Sequence, residues 1–131
     1  MKFRLVIVSP RGCYLDEEVE SLTIKLSSGY RTILAKHAPL IGAIAYAPMH
    51  IVKDGQTIHY AVHGGAINVT NEKVILMVNA IERKDEIDIE RAKRAKERAE
   101  GRLKNKDNGI DIKRAQLALY RALSRINTVN Q

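Results

Sequence analysis

The first 84 residues alternate between apolar and polar side chains in short runs, which is the pattern of half-buried β-strands. In an extended strand successive side chains point to opposite faces, so an alternating run has one apolar face and one polar face. The clearest runs are Phe3, Leu5 and Ile7 near the start of the chain and Leu22, Ile24 and Leu26 further on. These segments predict antiparallel strands that cover a shared core.

Turn signals separate the apolar runs at short intervals. Asp54-Gly55, between Ile51-Val52 and residues 58–62, is a strong signal for a two-residue hairpin. Residues 70–73 join two further runs, and Gly64-Gly65 predicts a bulge or a close approach of two backbones. Evenly spaced short strands of this kind predict a small antiparallel β-sandwich or barrel over residues 1–84.

The pattern changes after Ile87, where the chain becomes rich in alanine and arginine. Ala92, Ala95, Ala99 and Leu103 recur at helical spacing, as do Ala115, Ala118, Ala122 and Ile126, and residues 105–109 form a turn-like break between the two runs. Residues 85–131 are therefore predicted to form an antiparallel two-helix hairpin, which makes the fold class α+β. Its stripes are narrow and carry few large side chains, so the hairpin is expected to need a ligand, a partner or the β domain to hold it.

Composition restricts the compartment and the partners. A single cysteine, Cys13, allows no internal disulfide, and no apolar run approaches the about 20 residues that span a bilayer, so a cytosolic protein is expected. The net charge is +7: residues 1–84 carry 10 basic and 7 acidic side chains, and residues 85–131 carry 12 and 8 in about half the length. Such an excess attracts nucleic acid, anionic lipid, a nucleotide or an acidic protein surface.

The residue types give no catalytic or metal site. His59 and His63 would lie on one face of a strand about 13 Å apart, at about 3.3 Å per residue, which is too far for one metal ion, and histidines that pack or lie on the surface are expected instead. Gly64-Gly65 is not followed by the Lys-Ser or Lys-Thr of a phosphate loop. Cys13 has no local activating partner, which favours a buried or incidental thiol. A non-enzyme is expected.

Several short motifs, taken in order, resemble the epsilon-subunit family of bacterial F-type ATP synthases. They are Val8-Ser9-Pro10, Ser28-Gly29, Ile33-Leu34, His37-Ala38-Pro39-Leu40, Gly64 to Val69 and the Ile87-Asp88-x-x-Arg91-Ala92 start of the hairpin. The resemblance implies a non-catalytic regulatory subunit in which the sandwich docks on the gamma subunit and the c-ring, helping to couple proton-driven rotation to catalysis. It implies that the extended helices inhibit ATP hydrolysis at the alpha/beta catalytic head and that folding against the sandwich releases this inhibition.

In some members of this family the folded hairpin binds ATP as a regulatory ligand, with no obligatory cofactor, and the resemblance does not decide whether magnesium accompanies the nucleotide. The matching positions in this chain are Glu82, Ile87, Asp88, Arg91, Ala92, Arg98, Arg121 and Arg125. Arg91 and Arg98 are seven apart and Arg121 and Arg125 four apart, so each pair shares a helix face. Two such pairs on facing helices suit the phosphate oxygens of ATP, with adenine against the turn at residues 87–92.

The resemblance also places a rotor-contact loop at residues 29–37, with Tyr30, Arg31 and His37 as its contacts. This loop departs from the family pattern at Tyr30, Thr32, Ala35 and Lys36, which puts the details of its contact with the c-ring in doubt. The implied location is the cytoplasmic face of the bacterial plasma membrane, reached only through the synthase complex and without contact to nucleic acid.

Two other interpretations stay open at the level of sequence. Asp88 is also a good helix N-cap, worth about 1 kcal/mol, and arginines on a helix often form only a solvated face, so the hairpin would then be purely inhibitory with no ATP site. A basic hairpin on a small β domain also fits a ribosome- or RNA-binding module. Only 5% of the residues are aromatic, and none are interleaved with basic residues for base stacking.

Overall fold

The computed structural model describes residues 1–105 and 111–131, so residues 106–109 of the predicted break at 105–109 lie outside the described residues. The chain forms eight strands followed by two helices. In order these are β1 (Phe3–Ser9), β2 (Gly12–Val19), β3 (Ser21–Leu26), β4 (Gly29–Leu34), β5 (Leu40–Lys53), β6 (Gln56–Val69), β7 (Val74–Val78), β8 (Ile81–Arg83), a 3-10 turn (Lys84–Glu86), α1 (Ile89–Lys104) and α2 (Ile112–Val129). The predicted α+β class is confirmed.

The strands form a two-layer sandwich because β5 and β6 are long enough to take part in both layers. The strand order is β2-β1-β7-β6-β5-β3-β4, and β8 pairs with the first half of β6. The sandwich is antiparallel, as predicted, apart from the pair β1–β7, which is parallel. No hairpin joins those two strands, so their relative direction is set by the path of the intervening chain through the other layer.

The core lies between the layers and consists of the inward-facing residues of the alternating runs. Leu5, Ile7, Leu22, Ile24 and Leu26 are all buried there, as the period-two pattern predicted. Burial of each large aliphatic side chain stabilises the fold by about 1.5–3 kcal/mol. The sandwich therefore supplies most of the hydrophobic core of this chain.

Both turn predictions in the β5–β6 region are confirmed. Asp54 and Gly55 have positive φ values of 51° and 77° and connect β5 to β6 as a two-residue hairpin. At Gly65, with φ 129°, an added Cβ atom would lie 2.0 Å from the carbonyl oxygen of Met77, so the backbones of β6 and β7 approach there as only glycine permits.

The two helices form layers on the outside of the sandwich, with α2 next to the strands and α1 on top of α2. α2 lies against the outer faces of β5 and β6, while α1 packs mainly against α2. Ala92 and Ala99 of α1 and Ala115 and Ala122 of α2 are buried, which confirms the two facing stripes of small residues. α2 is thus held on two sides, and α1 is attached to the rest of the molecule chiefly through α2.

Candidate functional site: an arginine-lined cleft

Asp88 fixes where the first helix begins. Its side chain accepts a hydrogen bond of 3.1 Å from the backbone N–H of Arg91, which is the N-cap arrangement considered for it in the sequence. Asp111 caps α2 in the same way through the N–H of Arg114. Arg91, Arg98 and Arg102 lie on one face of α1, because spacings of seven and eleven residues are close to whole helical turns.

That face borders a cleft between the two helices and the end of the sandwich. The cleft has a volume of about 380 Å³, which lies within the range of roughly 300–1,000 Å³ common for ligand sites. Seven of the eight residues predicted for an ATP site line it. The lining residues are Glu82, Glu86, Asp88, Arg91, Ala92, Ala95, Arg98, Ala99, Arg102, Ala118, Arg121 and Arg125.

Ile87 is the predicted residue that the structure does not place in this cleft. It lines a neighbouring, more apolar crevice of about 520 Å³, formed by the start of β6, the 3-10 turn and the ends of the two helices. The reason is local: Ile87 precedes the cap and has extended backbone, so its side chain leaves the arginine-bearing face of α1.

Each acidic side chain of the cleft already has a partner. Glu82 pairs with Arg125 at 2.5 Å between Oε1 and Nε, Glu86 lies 3.6 Å from Arg83, and Asp88 caps α1. Both members of the Glu82–Arg125 pair are only about 30% exposed (30% and 31%), so this pair ties α2 to β8 at the edge of the sandwich.

The remaining arginines of the cleft have no such partner. Within residues 1–105 and 111–131, no carboxylate forms a salt bridge with Arg91, Arg98, Arg102 or Arg121. Four guanidinium groups of the described residues therefore border one cavity without a salt-bridge partner. Such a site favours an anion with several oxygen atoms, because the planar guanidinium donates paired hydrogen bonds to oxygens of phosphate or carboxylate groups.

Arg102 is the lining arginine that the sequence interpretation left out. It follows Arg98 by four positions and Arg91 by eleven, so helical periodicity alone assigns it to the same face. Glu86 was also not predicted. Its place in the cleft follows from the 3-10 turn, a feature with no clear signal in the sequence.

The residues predicted for rotor contact are not gathered in one loop. Tyr30 and Arg31 belong to strand β4, where Tyr30 is 57% exposed and lies under the ammonium group of Lys25. His37 lies beyond the other end of β4, where its Nδ1 is 2.7 Å from the carbonyl oxygen of Ala38. At about 3.3 Å per residue, the two places are separated by most of the length of a strand, so the predicted loop is a strand followed by a turn.

The face of the sandwich that the helices cover carries a buried histidine on β6. His63 is 1% exposed, and its ring stacks on Tyr46 with 5.6 Å between centroids. Packing or surface positions were predicted for the histidines, and His63 is a packing histidine. Cys13, in contrast to the alternative of a buried thiol, is exposed at the start of β2.

No helix among the described residues is long and apolar enough to cross a membrane. Residues 1–105 and 111–131 also contain no group of three or more His, Cys, Asp or Glu side chains arranged to hold a metal ion.

Two family models match the chain end to end. Residues 2–84 match the β-sandwich domain of the ATP synthase delta/epsilon chain, and residues 85–130 match the long α-helix domain of the same chain. Curated relatives with the name ATP synthase epsilon chain cover nearly the whole length. The relative from Desulforamulus reducens is 39% identical over 94% of this chain and 93% of its own, and that from Desulfitobacterium hafniense is 41% identical over 95% and 94%.

Solved structures share the fold at low sequence identity. A chain of the Euglena gracilis mitochondrial ATP synthase superimposes with a TM-score of 0.88 over 99% of this chain and 82% of its own length, at 21% identity. A chain from the central stalk and c-ring of the Tetrahymena thermophila mitochondrial ATP synthase gives a TM-score of 0.61 over 99% and 95%, at 15% identity.

Proposed function

The chain belongs to the family of ATP synthase epsilon chains, and we propose on this basis that its C-terminal hairpin is a mobile regulatory arm whose folded state is stabilised by ATP. The chain is a non-catalytic subunit of the synthase. In its proposed role the sandwich docks on the gamma subunit and the c-ring in the central stalk, at the cytoplasmic face of the bacterial plasma membrane. There it helps to couple proton transport to ATP synthesis.

The observation that carries the proposal of an ATP site is the set of arginines around one cleft that form no salt bridge among the described residues. Arg91 and Arg98 approach from α1 and Arg121 from α2, so an anion between the helices meets guanidinium groups from both sides. The N-terminus of α1 adds the partial positive charge of its first turn. A triphosphate provides the charge and the number of oxygen atoms that such a cleft would match.

Ligand binding at this cleft would stabilise the folded hairpin because the cleft is assembled only by folding. Its walls come from α1, from α2 and from Glu82 at the edge of the sandwich. A ligand that binds the folded state alone stabilises it by RT ln(1 + [L]/Kd), or about 2.7 kcal/mol at a hundredfold excess over Kd. The concentration of ATP would then set the fraction of folded hairpins.

The hairpin's attachment is weak enough for such a switch. Its buried stripes consist largely of alanine, which contributes little apolar area, and the polar ties to the sandwich are few. Among the described residues these ties are the Glu82–Arg125 pair, a 3.4 Å hydrogen bond from Thr128 Oγ1 to the carbonyl of Tyr60, and one from Lys84 Nζ to the carbonyl of Gln131. An extended hairpin would expose the same arginines to acidic surfaces of the alpha/beta catalytic head and inhibit hydrolysis there.

The sandwich has an apolar outer face on the layer that the hairpin does not cover, and this face suits docking on the stalk. Met77 is 52% exposed and Ile41 80% exposed, and Val8 lies directly across from Met77 on the neighbouring strand. Exposed apolar patches of this kind commonly mark interfaces between proteins. We assign this face to the gamma subunit, and we keep Tyr30, Arg31 and His37 as the proposed contacts with the c-ring.

Equilibrium titration of the purified chain with ATP tests the proposed site, with ADP and GTP as comparators and with and without magnesium. We expect saturable binding that prefers ATP and that Arg91→Ala and Arg121→Ala each weaken by at least about tenfold, since a charged hydrogen bond contributes about 1.5–3 kcal/mol. Arg94→Ala is the matched control, because Arg94 lies on α1, is exposed and does not line the cleft. Equal losses in all three variants, or no binding at millimolar ATP, would leave a purely inhibitory hairpin.

A further inference from the structure

We propose that the folded hairpin is held by an acid-sensitive contact, in which protonation of His63 weakens the packing of α2 on the sandwich and favours the released hairpin. The inference rests on the proposed function only in assuming that the helical hairpin can detach from the sandwich. It adds a second input, the proton, to the proposed nucleotide input.

His63 lies in the surface that the hairpin covers. In β6 the side chains of Tyr60 and Val62 point into the core, so those of Ala61 and His63 point to the outer face. Ala61 is fully buried and His63 is 1% exposed, although both are on the outside of the sandwich. The element that packs on this part of β5 and β6 is α2. Release of the hairpin would therefore expose the imidazole to water.

The contacts of the ring suit a neutral imidazole and not a cation. Neither Nδ1 nor Nε2 has a hydrogen-bond partner in the part of the chain that the structure describes. One face of the ring is covered by Tyr46 from β5, at an angle of 19° between the rings. The charged groups that act on it from α2 are Arg121 and Arg125, both cations, and the neighbouring carboxylate of Glu82 on β8 is already paired with Arg125.

These surroundings oppose protonation. Burial lowers the pKa of His63 from its ordinary value of 6.5 to about 4, and the positive charges of Arg125 and Arg121 act in the same direction. When the hairpin leaves, both α2 arginines leave with it and the ring becomes hydrated. The pKa of the exposed ring would then return toward 6.5.

The sign of the linkage follows from these two values. Well above pH 6.5 the imidazole is neutral in both states, so the docking equilibrium does not depend on its titration. Between pH 6.5 and pH 4 the released state binds a proton that the docked state does not, so docking weakens as the pH falls. From pH 7.5 to pH 5.5 the docking constant should fall about tenfold.

A pair of histidines lies further along the same face, and its titration needs a control of its own. His50 and His59 are opposite each other on β5 and β6, with 5.6 Å between ring centroids. Burial lowers the pKa of His59, and His50 and Lys84 add to this effect, so His59 contributes in the same direction. His59→Gln removes this contribution and leaves His63 in place.

The test uses the full-length chain without nucleotide, because ATP itself titrates near neutral pH. A donor and an acceptor dye are attached to the natural exposed thiol of Cys13 and to a cysteine introduced by Lys113→Cys near the start of α2. Energy transfer reports the docked fraction between pH 5.5 and pH 7.5. We expect the docking constant to fall about tenfold, to change less than about twofold in His63→Phe, and to keep most of its fall in His59→Gln. An unchanged fall in His63→Phe would overturn the proposal.

A direct titration of the ring covers the case in which His63→Phe does not fold. In the unmodified chain, nitrogen chemical shifts of the imidazole identify its protonation state. We expect the resonances of His63 in the docked chain to remain mainly those of a neutral ring from pH 7.5 down to about pH 5. Titration of His63 near pH 6.5 while the hairpin stays docked would overturn the proposal.

Failure of this inference is distinguishable from failure of the ATP proposal. ATP titrations at pH 7.5 test the cleft while His63 is neutral in both states. Absence of ATP binding with an intact pH effect would reject only the nucleotide input. ATP binding with docking that does not depend on pH would reject only the role of His63.

Discussion

The pair Glu82–Arg125 is expected to contribute measurably to hairpin docking because it joins α2 to the edge of the sandwich. Exposed ion pairs contribute about 0.2–1 kcal/mol, whereas hydrogen bonds to charged groups contribute about 1.5–3 kcal/mol. Both side chains are about two-thirds buried, so water screens this pair less than an exposed one. We therefore expect a coupling free energy of about 1.4 kcal/mol, or about a tenfold change in the docking constant.

A double-mutant cycle measures this coupling. Glu82→Gln, Arg125→Gln and the double variant are compared by the energy-transfer assay at pH 7.5, in the absence of nucleotide. The cycle removes the effect of each substitution on its own surroundings and leaves the interaction between the two side chains.

The control is the pair Arg4–Asp16, which makes two hydrogen bonds of 2.9 Å on exposed parts of β1 and β2, away from the helical hairpin. Asp16→Asn and Arg4→Gln should leave docking unchanged within about 0.3 kcal/mol. A coupling below about 0.3 kcal/mol for Glu82–Arg125, or an equal effect in the control cycle, would refute the assignment of this pair as a tie between hairpin and sandwich.

Three further outcomes are expected. Gly65→Ala should destabilise the fold by at least about 3 kcal/mol in urea unfolding, since its Cβ atom would overlap the Met77 carbonyl; a loss below about 1 kcal/mol would contradict the observed approach. Met77→Asp should weaken binding to a purified gamma coiled coil by more than about tenfold in calorimetry, with little change in stability. Gln56→Asp, at the exposed turn between β5 and β6, serves as control. Equal binding by both variants would argue against this docking face. Asp88→Ala should cost about 1 kcal/mol of stability and Asp88→Asn much less, because asparagine also caps helices, and equal losses would count against capping.

Much of the fold follows from local sequence signals. Period-two runs located the core strands, Asp54-Gly55 located a hairpin, and the alanine stripes located two facing helices. The continuity of β6 through Gly64-Gly65 was not evident, because two adjacent glycines normally interrupt a strand. The parallel pairing of β1 with β7 could not be predicted either, since it depends on contacts between segments more than sixty residues apart.

The candidate site was predictable where it depends on helical periodicity. Arg91, Arg98, Arg121 and Arg125 border one cleft because each pair shares a helix face and the two helices face each other. The direction of Ile87 and the participation of Glu86 depend on the short 3-10 turn before α1, which carries no periodic pattern. The burial of His63 on the outside of the sandwich could not be predicted, because it depends on where α2 packs. Tertiary packing of this kind cannot be predicted from the pattern of a single segment.

The length of β5 and β6 also has a mechanical consequence. Each strand runs for 14 residues, about 45 Å at 3.3 Å per residue, and the two are hydrogen-bonded along nearly their whole length. A force applied along this ribbon loads many of its hydrogen bonds together, in shear, and does not open them one after another. The sandwich should therefore transmit a twisting load from one end to the other as a stiff body, while the hairpin on its surface remains free to move.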